Sequence, residues 1–433
     1  MVIKHLKERV FFLVACLCLI ACSHDNVNSI NHPEFDDDGV IKEEVYNSFY
    51  SAEPPSSICF YVEASGSMNG LFRPGKATTF KRNMWSVLSR NRDRISSVKA
   101  FVNGSSNVVE YSIDDFRSKM NNGGLVSAAS TVVPKMLQKV LEDLEAGLCD
   151  VAVFVSDMKY SPAGGSVTAI DQYAIDIQSM FSKYSGYSLS MIGLESEYIA
   201  ANGSVACSEF PYYMIVIGKS SKVTYVRNVI MAAIGQEKSV VGCLDYNIVC
   251  GCPYYSVYPI AGALGLKQNI YEIAAGRADR FYSLCGYSST AGVAEFVVAI
   301  RGYHIPYSLL TNIQKDNFVL GSYAGSVKLD WELINEPSIK SAEDKKVNQF
   351  VEPNIFLKVK IEEMYLPSDV INILMKTPKD DDLWIQKYCG ATREGDLYKT
   401  FSIDGFVEGL KRAYPAPLNV QTDPMLILVS DYN

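Results

Sequence analysis

Three short stretches of the chain carry side chains able to do chemistry. Glu63-Ala64-Ser65-Gly66-Ser67-Met68-Asn69-Gly70 offers one carboxylate and two hydroxyls, and Ser156-Asp157-Met158-Lys159 offers a second carboxylate at Asp157. Thr131 follows Asn121-Asn122-Gly123-Gly124 and a run of small residues. Hydroxyl and carboxylate oxygens are what a hard divalent cation coordinates. A serine nucleophile would instead need a positioned base. The chain has only four histidines, His5, His24, His32 and His304, and the first three sit at its beginning. No G-x-S-x-G elbow surrounds Ser65 or Ser67. His304, between Tyr303 and Ile305, reads as a packed or surface residue. No enzyme is expected.

The elements around these stretches alternate. Ile58 to Val62 is a short apolar strand, and Phe80, Met84, Trp85 and Leu88 give Thr79–Arg90 helical spacing. Val98 to Val102 is strand-like, and Val108 to Ser112 returns antiparallel. From Thr131, apolar residues at Val132, Val133, Met136, Leu137, Val140, Leu141 and Leu144 keep a 3.6-residue period. Pro134 falls in the first turn, where proline is tolerated. Val151 to Val155 is a continuous apolar run of the kind buried in central parallel strands. Val167 to Phe181 predicts another helix, and Ser188–Leu194 and Tyr212–Ile217 further strands. This alternation predicts an α/β region, a doubly wound, mainly parallel sheet covered on both faces. Ligands in such sheets sit at the carboxyl ends of strands, where Glu63–Gly70 and Ser156–Lys159 fall.

At these residues the sequence resembles the von Willebrand factor A domain. That family carries a metal-ion-dependent adhesion site in three loops: D-x-S-x-S after the first strand, a threonine before a long helix, and an aspartate after the fourth strand. Ser65 and Ser67 fall on the two serines, Thr131 on the threonine, and Asp157 on the aspartate, in S-D-M where the family usually has T-D-G. Glu63 occupies the place of the first aspartate. The resemblance covers residues 57–220 and implies that Glu63, Ser65, Ser67, Thr131 and Asp157 hold a divalent cation (Mg²⁺, Ca²⁺ or Mn²⁺) that accepts a carboxylate from a partner. Glutamate is one methylene longer than aspartate. Mg²⁺ demands octahedral geometry at about 2.1 Å, so the longer arm favours the more forgiving Ca²⁺ or Mn²⁺.

The amino terminus reads as an address and an anchor. Lys4, Lys7 and Arg9 precede an apolar run from Val10 to Ala21, the pattern of a secretory signal too short for a membrane span. Leu19-Ile20-Ala21-Cys22 resembles a bacterial lipobox, which implies lipidation at Cys22. Several acyl chains on one residue hold a protein to a bilayer far better than one. Residues 22–56, rich in Ser, Asn, Asp and Pro, predict a solvated tether. Asp25 close behind Cys22 resembles the sorting signals of surface lipoproteins in Bacteroides-type bacteria. The whole chain carries a net charge of −8, and cleavage after Ala21 removes Lys4, Lys7, Arg9 and Glu8, leaving about −10. Nucleic-acid binding, which needs a basic face, is not expected.

Residues 221–433 predict a β-rich, sandwich-like region. Val293–Ile300, Phe318–Leu329 (around Gly321 and Gly325), Ile355–Ile361 and Met425–Val429 read as strands. Lys222–Ile234 and Thr400–Tyr414 read as helices, and Asp369–Met375 as either. Asp380-Asp381-Asp382 lacks the spacing of a calcium loop and reads as a solvated turn. Trp331 and Trp384 are expected in the core. Eight cysteines follow Cys22, so full pairing is allowed. Cys59 and Cys149 lie in or beside apolar runs, where a thiol packs as a small hydrophobe. Cys243, Cys250 and Cys252 crowd together without a nearby histidine, which disfavours zinc and leaves a disulfide or simple packing.

The 433 residues, 48% hydrophobic and 20% charged, can fill more than one core. The expected function is a lipid-anchored bacterial envelope protein, on the periplasmic or surface face of the outer membrane, whose first domain captures a protein ligand. The alternatives are an assembly component with an empty site and, least supported, a serine hydrolase.

Overall fold

A computed structural model describes residues 53–102, 107–125, 132–160, 168–234, 239–248, 253, 255–259, 270–275, 279–285, 294–301, 313–334, 354–376, 382–390, 397–414, 422 and 424–430. The signal segment, Cys22, most of the tether, Thr131, Cys250, Cys252, His304, Asp380 and Asp381 lie outside the described residues. Among the described residues no helix is long and apolar enough to cross a membrane.

The first elements are β1 (Ile58–Glu63), α1 (Thr79–Arg90), β2 (Ile95–Phe101), β3 (Val108–Tyr111), α2 (Ile113–Asn122), α3 (Val133–Glu145) and β4 (Val151–Ser156). They are followed by α4 (Thr168–Lys183), β5 (Ser188–Ile199), β6 (Val205–Gly218), α5 (Ser220–Ile234) and β7 (Val240–Tyr246). Seven strands form one mixed sheet in the order β3-β2-β1-β4-β6-β5-β7. Every residue of β1 and β4 is buried, which explains their unbroken apolar runs. Alternation then sorts the faces. Ile58, Phe60 and Val62 pack under α1 and α5, while Cys59 and Tyr61 pack under α3 and α4. Each such apolar side chain contributes about 1.5–3 kcal/mol on burial.

The expectation of a mainly parallel sheet is corrected. Only β1 with β2 and β1 with β4 pair in parallel; β2–β3, β4–β6, β5–β6 and β5–β7 are antiparallel. The reason is a long hairpin. Asn202 Oδ1 accepts from Ser204 N at 3.0 Å, and Gly203 takes φ +83°, which glycine adopts freely. This tight turn folds β6 straight back, so it inserts between β4 and β5 instead of reaching its place through a helical crossover.

The remaining elements are β8 (Tyr255–Pro259), β9 (Ile270–Ala275), β10 (Asp279–Cys285), β11 (Ala294–Arg301), β12 (Phe318–Ser322), β13 (Val327–Ile334), β14 (Asn354–Met364) and β15 (Ser368–Met375). After them come α6 (Leu383–Tyr388), β16 (Cys389–Gly390), β17 (Thr400–Phe401), α7 (Ile403–Ala413) and β18 (Met425–Ser430). Two further sheets, β12-β15-β18-β10-β9 and β13-β14-β11-β8, are antiparallel except for β10 with β18. Their inner faces, among them Val298, Leu357 and Val359 from one and Ile371, Ile373 and Ile427 from the other, belong to the same cluster of buried residues as the layer under α1 and α5.

Residues beyond 220 also build the α/β layers. β7 closes the seven-stranded sheet. Arg227 of α5 meets Asp245 of β7 at 2.8 Å with both side chains fully buried, and Ser190 Oγ donates to the other oxygen of Asp245 at 2.6 Å. Helix α7, expected from its periodicity, packs on α4 with Phe406, Val407 and Leu410 in the core. Gly409 permits this, because a Cβ there would lie 2.7 Å from the Ala174 carbonyl oxygen. Trp384, half-buried, lies against Gly193 and Gly242, where a Cβ would meet its ring at 2.3–2.4 Å. Trp331 is half-buried too, against Phe318 at 5.8 Å between ring centroids.

Candidate functional site

The parallel pair β1 and β4 carries the candidate site at its carboxyl end. Glu63 closes β1, and the chain then turns through a single 3-10 turn, Gly66–Met68, pinned by Met68 and Leu71 in the core. That turn brings the Ser65 and Ser67 hydroxyls to 2.9 Å. Ser65 is buried and Ser67 half-buried. Asp157 follows β4 and is fully buried. The Ser67 hydroxyl stands beside its carboxyl group and favours the charged form.

Asp157 is therefore in contact with the β1 loop, across 90 residues of sequence. Burial nevertheless pushes its pKa above the ordinary carboxylate value, against the opposing effects of Lys159, Ser67 and loop amides. Its Oδ1 accepts from Lys159 N at 3.2 Å, while Oδ2 is buried without a hydrogen-bond partner. A second buried oxygen without a partner, Asn69 Oδ1, lies in the serine loop.

Glu63 does something different. Its carboxylate accepts from the Ser156 hydroxyl, which in turn accepts from Met158 N at 2.7 Å. Both Glu63 and Ser156 are fully buried, so the longer arm bridges the ends of β1 and β4. Thr131 lies outside the described residues. Among the described residues there is no cluster of three or more His, Cys, Asp or Glu side chains that could hold a metal.

Sequence reasoning assigned no role to five contributors: Lys159, Leu397, Thr400, Tyr198 and Tyr398. Lys159 Nζ lies 4.6 Å from the Phe210 ring centroid and donates to the Leu397 carbonyl. Burial lowers its pKa, and the charges of Asp157 and Glu63 oppose that shift. Thr400 Oγ1 donates to the Asp157 carbonyl at 3.0 Å and accepts from the buried Tyr213 hydroxyl at 3.2 Å. Tyr198 packs flat on Gly70 and against Tyr398 at 5.6 Å. Residues 397–400 thus lie across the site from a distant part of the chain. Lys159 had a local signal, two residues after Asp157; Thr400, Leu397 and Tyr398 had none.

The donor set suits a hard cation: two paired hydroxyls, and a carboxylate with one unfilled oxygen. Lys159 already supplies a positive charge to the same carboxylate. No family model, curated protein or solved structure matches this chain.

Proposed function

We propose that the chain is a lipid-anchored envelope protein whose mixed α/β domain captures a protein ligand through the Ser65–Ser67 and Asp157 loops. The observation that carries this reading is the Ser65–Ser67 hydroxyl pair beside the buried Asp157, whose Oδ2 has no partner. In the von Willebrand factor A-like reading, a divalent cation would rest on Ser65, Ser67 and Asp157, with Glu63 held back by Ser156. The cation would supply an electrophilic position for a partner carboxylate. Met158 also supports the resemblance: it takes φ 55°, the left-handed region, where the resembled motif has glycine.

A second reading has its own support in Lys159. An ammonium beside Asp157 and Glu63 can do the charge compensation of a metal, leaving the domain a metal-free docking platform in an envelope assembly. Thermal unfolding of the full chain with Mg²⁺, Ca²⁺, Mn²⁺ or chelator separates the two. Stabilisation by a cation that is lost in Ser65→Ala and Asp157→Ala supports capture through metal. No response in any of them, with partner recovery from envelope extracts unaffected by chelator, supports the platform. Membrane fractionation of Cys22→Ser tests the anchor: a variant that stays in washed membranes overturns it.

A further inference from the structure

The roots of β1 and β4, at the end of the sheet opposite the candidate site, bring two cysteines together. The chain entering β4 crosses the start of β1, where Asp150 N and Val151 N both donate to the Ser57 carbonyl, at 3.1 and 3.3 Å. From there the strands run in parallel register, Cys59 beside Ala152. The crossing puts the surface turn 146–150 against Cys59, whose Sγ lies 4.0 Å from the carbonyl oxygen of Leu148, the residue before Cys149, and the two cysteines share one buried cluster. Both residues are buried, at 1% and 5% exposure, and both are thiols in this structure.

We propose that Cys59 and Cys149 are a disulfide-forming pair, oxidised by thiol–disulfide exchange in the envelope and then sealed by the fold. Sequence periodicity reads each as a packing thiol, and their meeting is a property of the fold alone.

The surroundings of Cys59 suit the exchange. Ser97 Oγ donates to its sulfur at 3.3 Å, and Ser96 Oγ lies at the same distance. The contact with Cys149, then Ser96 and Ser97 and the charge of Lys99, outweigh burial and lower the Cys59 pKa. Cys149 is shifted upward by the same contact and by burial. Cys59, whose sulfur accepts from the Ser97 hydroxyl, is the better supported thiolate for the attack, and Cys149 resolves. The Cys59 thiolate attacks the disulfide of an envelope dithiol oxidant, forming a mixed disulfide and expelling one oxidant thiolate. Cys149 loses its proton to water and attacks the Cys59 sulfur, expelling the second thiolate. Two thiols are oxidised and one oxidant disulfide is reduced to two thiols. Access needs only the turn 146–150 to lift, and Leu148 in it is already 55% exposed.

The bond would clamp the bases of the two strands whose far ends hold Ser65, Ser67 and Asp157. Its oxidant in the cell rests on the exported location proposed above; its geometry does not. The test refolds the full chain in detergent from reduced, denatured protein into a buffer of oxidised and reduced glutathione. Free thiols are then alkylated, and the protein is digested without reduction for mass spectrometry. The expected product is a Cys59–Cys149 linked peptide, two hydrogens lighter than its reduced halves, with complete loss of alkylation at both positions. Reductant lowers the melting temperature of this material but not that of the Cys59→Ala/Cys149→Ala variant. Cys149→Ala, lacking the resolving thiol, is expected to retain glutathione on Cys59. Recovery of both residues alkylated after glutathione refolding, or linked to other cysteines, overturns the proposal. Because that arm needs no export, its failure is distinct from a failure of the Cys22→Ser fractionation.

Discussion

Thr400 Oγ1 donates to the main-chain carbonyl of Asp157 at 3.0 Å, a contact spanning 243 residues of sequence. It fixes a carboxyl-terminal segment over the loop that holds the site's aspartate. The same hydroxyl accepts from Tyr213, so it is spent in both directions. Thr400→Val keeps the shape and removes both bonds, leaving two buried polar groups unpaired. The expected cost is about 2 kcal/mol in urea unfolding. Tyr213→Phe in the same background should recover part of that loss, because it removes one of the stranded groups. Strictly additive costs would show that the two hydroxyls do not act as a unit.

Lys159 decides how Asp157 is balanced. Its ammonium opposes the effect of burial on that carboxyl and reaches across to the Leu397 carbonyl. Lys159→Met removes the charge and keeps most of the stem. If the ammonium stands where a cation could, the variant should bind Ca²⁺ or Mn²⁺ about tenfold more tightly than the parent, a difference of about 1.4 kcal/mol. Isothermal titration measures this directly. Equal affinity in the two proteins would separate Lys159 from the site.

The central strands were legible because burial on both faces leaves an unbroken apolar run, as in Val151–Val155. Helix α3 was legible because one apolar face repeats at 3.6 residues. That Glu63, Ser65, Ser67 and Asp157 gather at one end of the sheet was legible because they directly follow two adjacent parallel strands. The order of the strands was not legible. The distal half of the β5–β6 hairpin is polar, with Glu195, Glu197 and Glu209 along it, so it lacks the apolar signal of its proximal half. Nothing local says that β6 will slide between β4 and β5. Thr400 and Leu397 were invisible for a related reason: they reach Asp157 and Lys159 through tertiary packing, with Thr400 paired to Cys389 beside α7. The place of Glu63 at the end of β1 was legible, but its partner Ser156 was not.

Acid stability should be governed partly by Asp143. Its carboxylate accepts from Tyr61 at 2.6 Å, Lys99 at 2.9 Å and Lys139 at 2.6 Å, joining α3 to β1 and β2. Burial alone would raise its pKa, but these three donors outweigh it and hold the carboxyl below the usual range. A depressed acid stabilises the fold above its unfolded pKa of about 3.9 and loses that contribution as pH falls through the folded value. Lys99 is shifted the other way: burial lowers its pKa, and Asp143 more than restores it. Its contribution holds below about pH 10.4 and is lost above. The network should give a plateau between about pH 5 and pH 9, with losses on both sides. Asp143→Asn is expected to cost about 2 kcal/mol on that plateau, discounted for the 44% exposure of Lys139. The cost should shrink toward pH 3. A pH series of urea melts giving a constant difference would contradict this.

The docking of α7 on α4 has its own test at Gly409. A Cβ there would sit 2.7 Å from the main-chain oxygen of Ala174 and 2.7 Å from Ile177 Cβ. Neither atom is the loose end of a flexible side chain, so the helices must part. Gly409→Ala raises intrinsic helix propensity by about 1 kcal/mol, yet the crossing should lose about 1–3 kcal/mol. The net prediction is destabilisation, read as a lower melting temperature. Because α7 follows directly on residues 397–401, which cover Asp157 and Lys159, the shift should travel. Amide hydrogen exchange at Lys159 and in residues 397–401 is expected to rise in Gly409→Ala. An exposed control with no neighbour within 4 Å, Gly147→Ala, carries φ +71° and should lose stability through backbone strain alone, leaving exchange at Lys159 unchanged. Equal exchange at Lys159 in both variants would mean that the segment over the site is held independently of the helix that follows it.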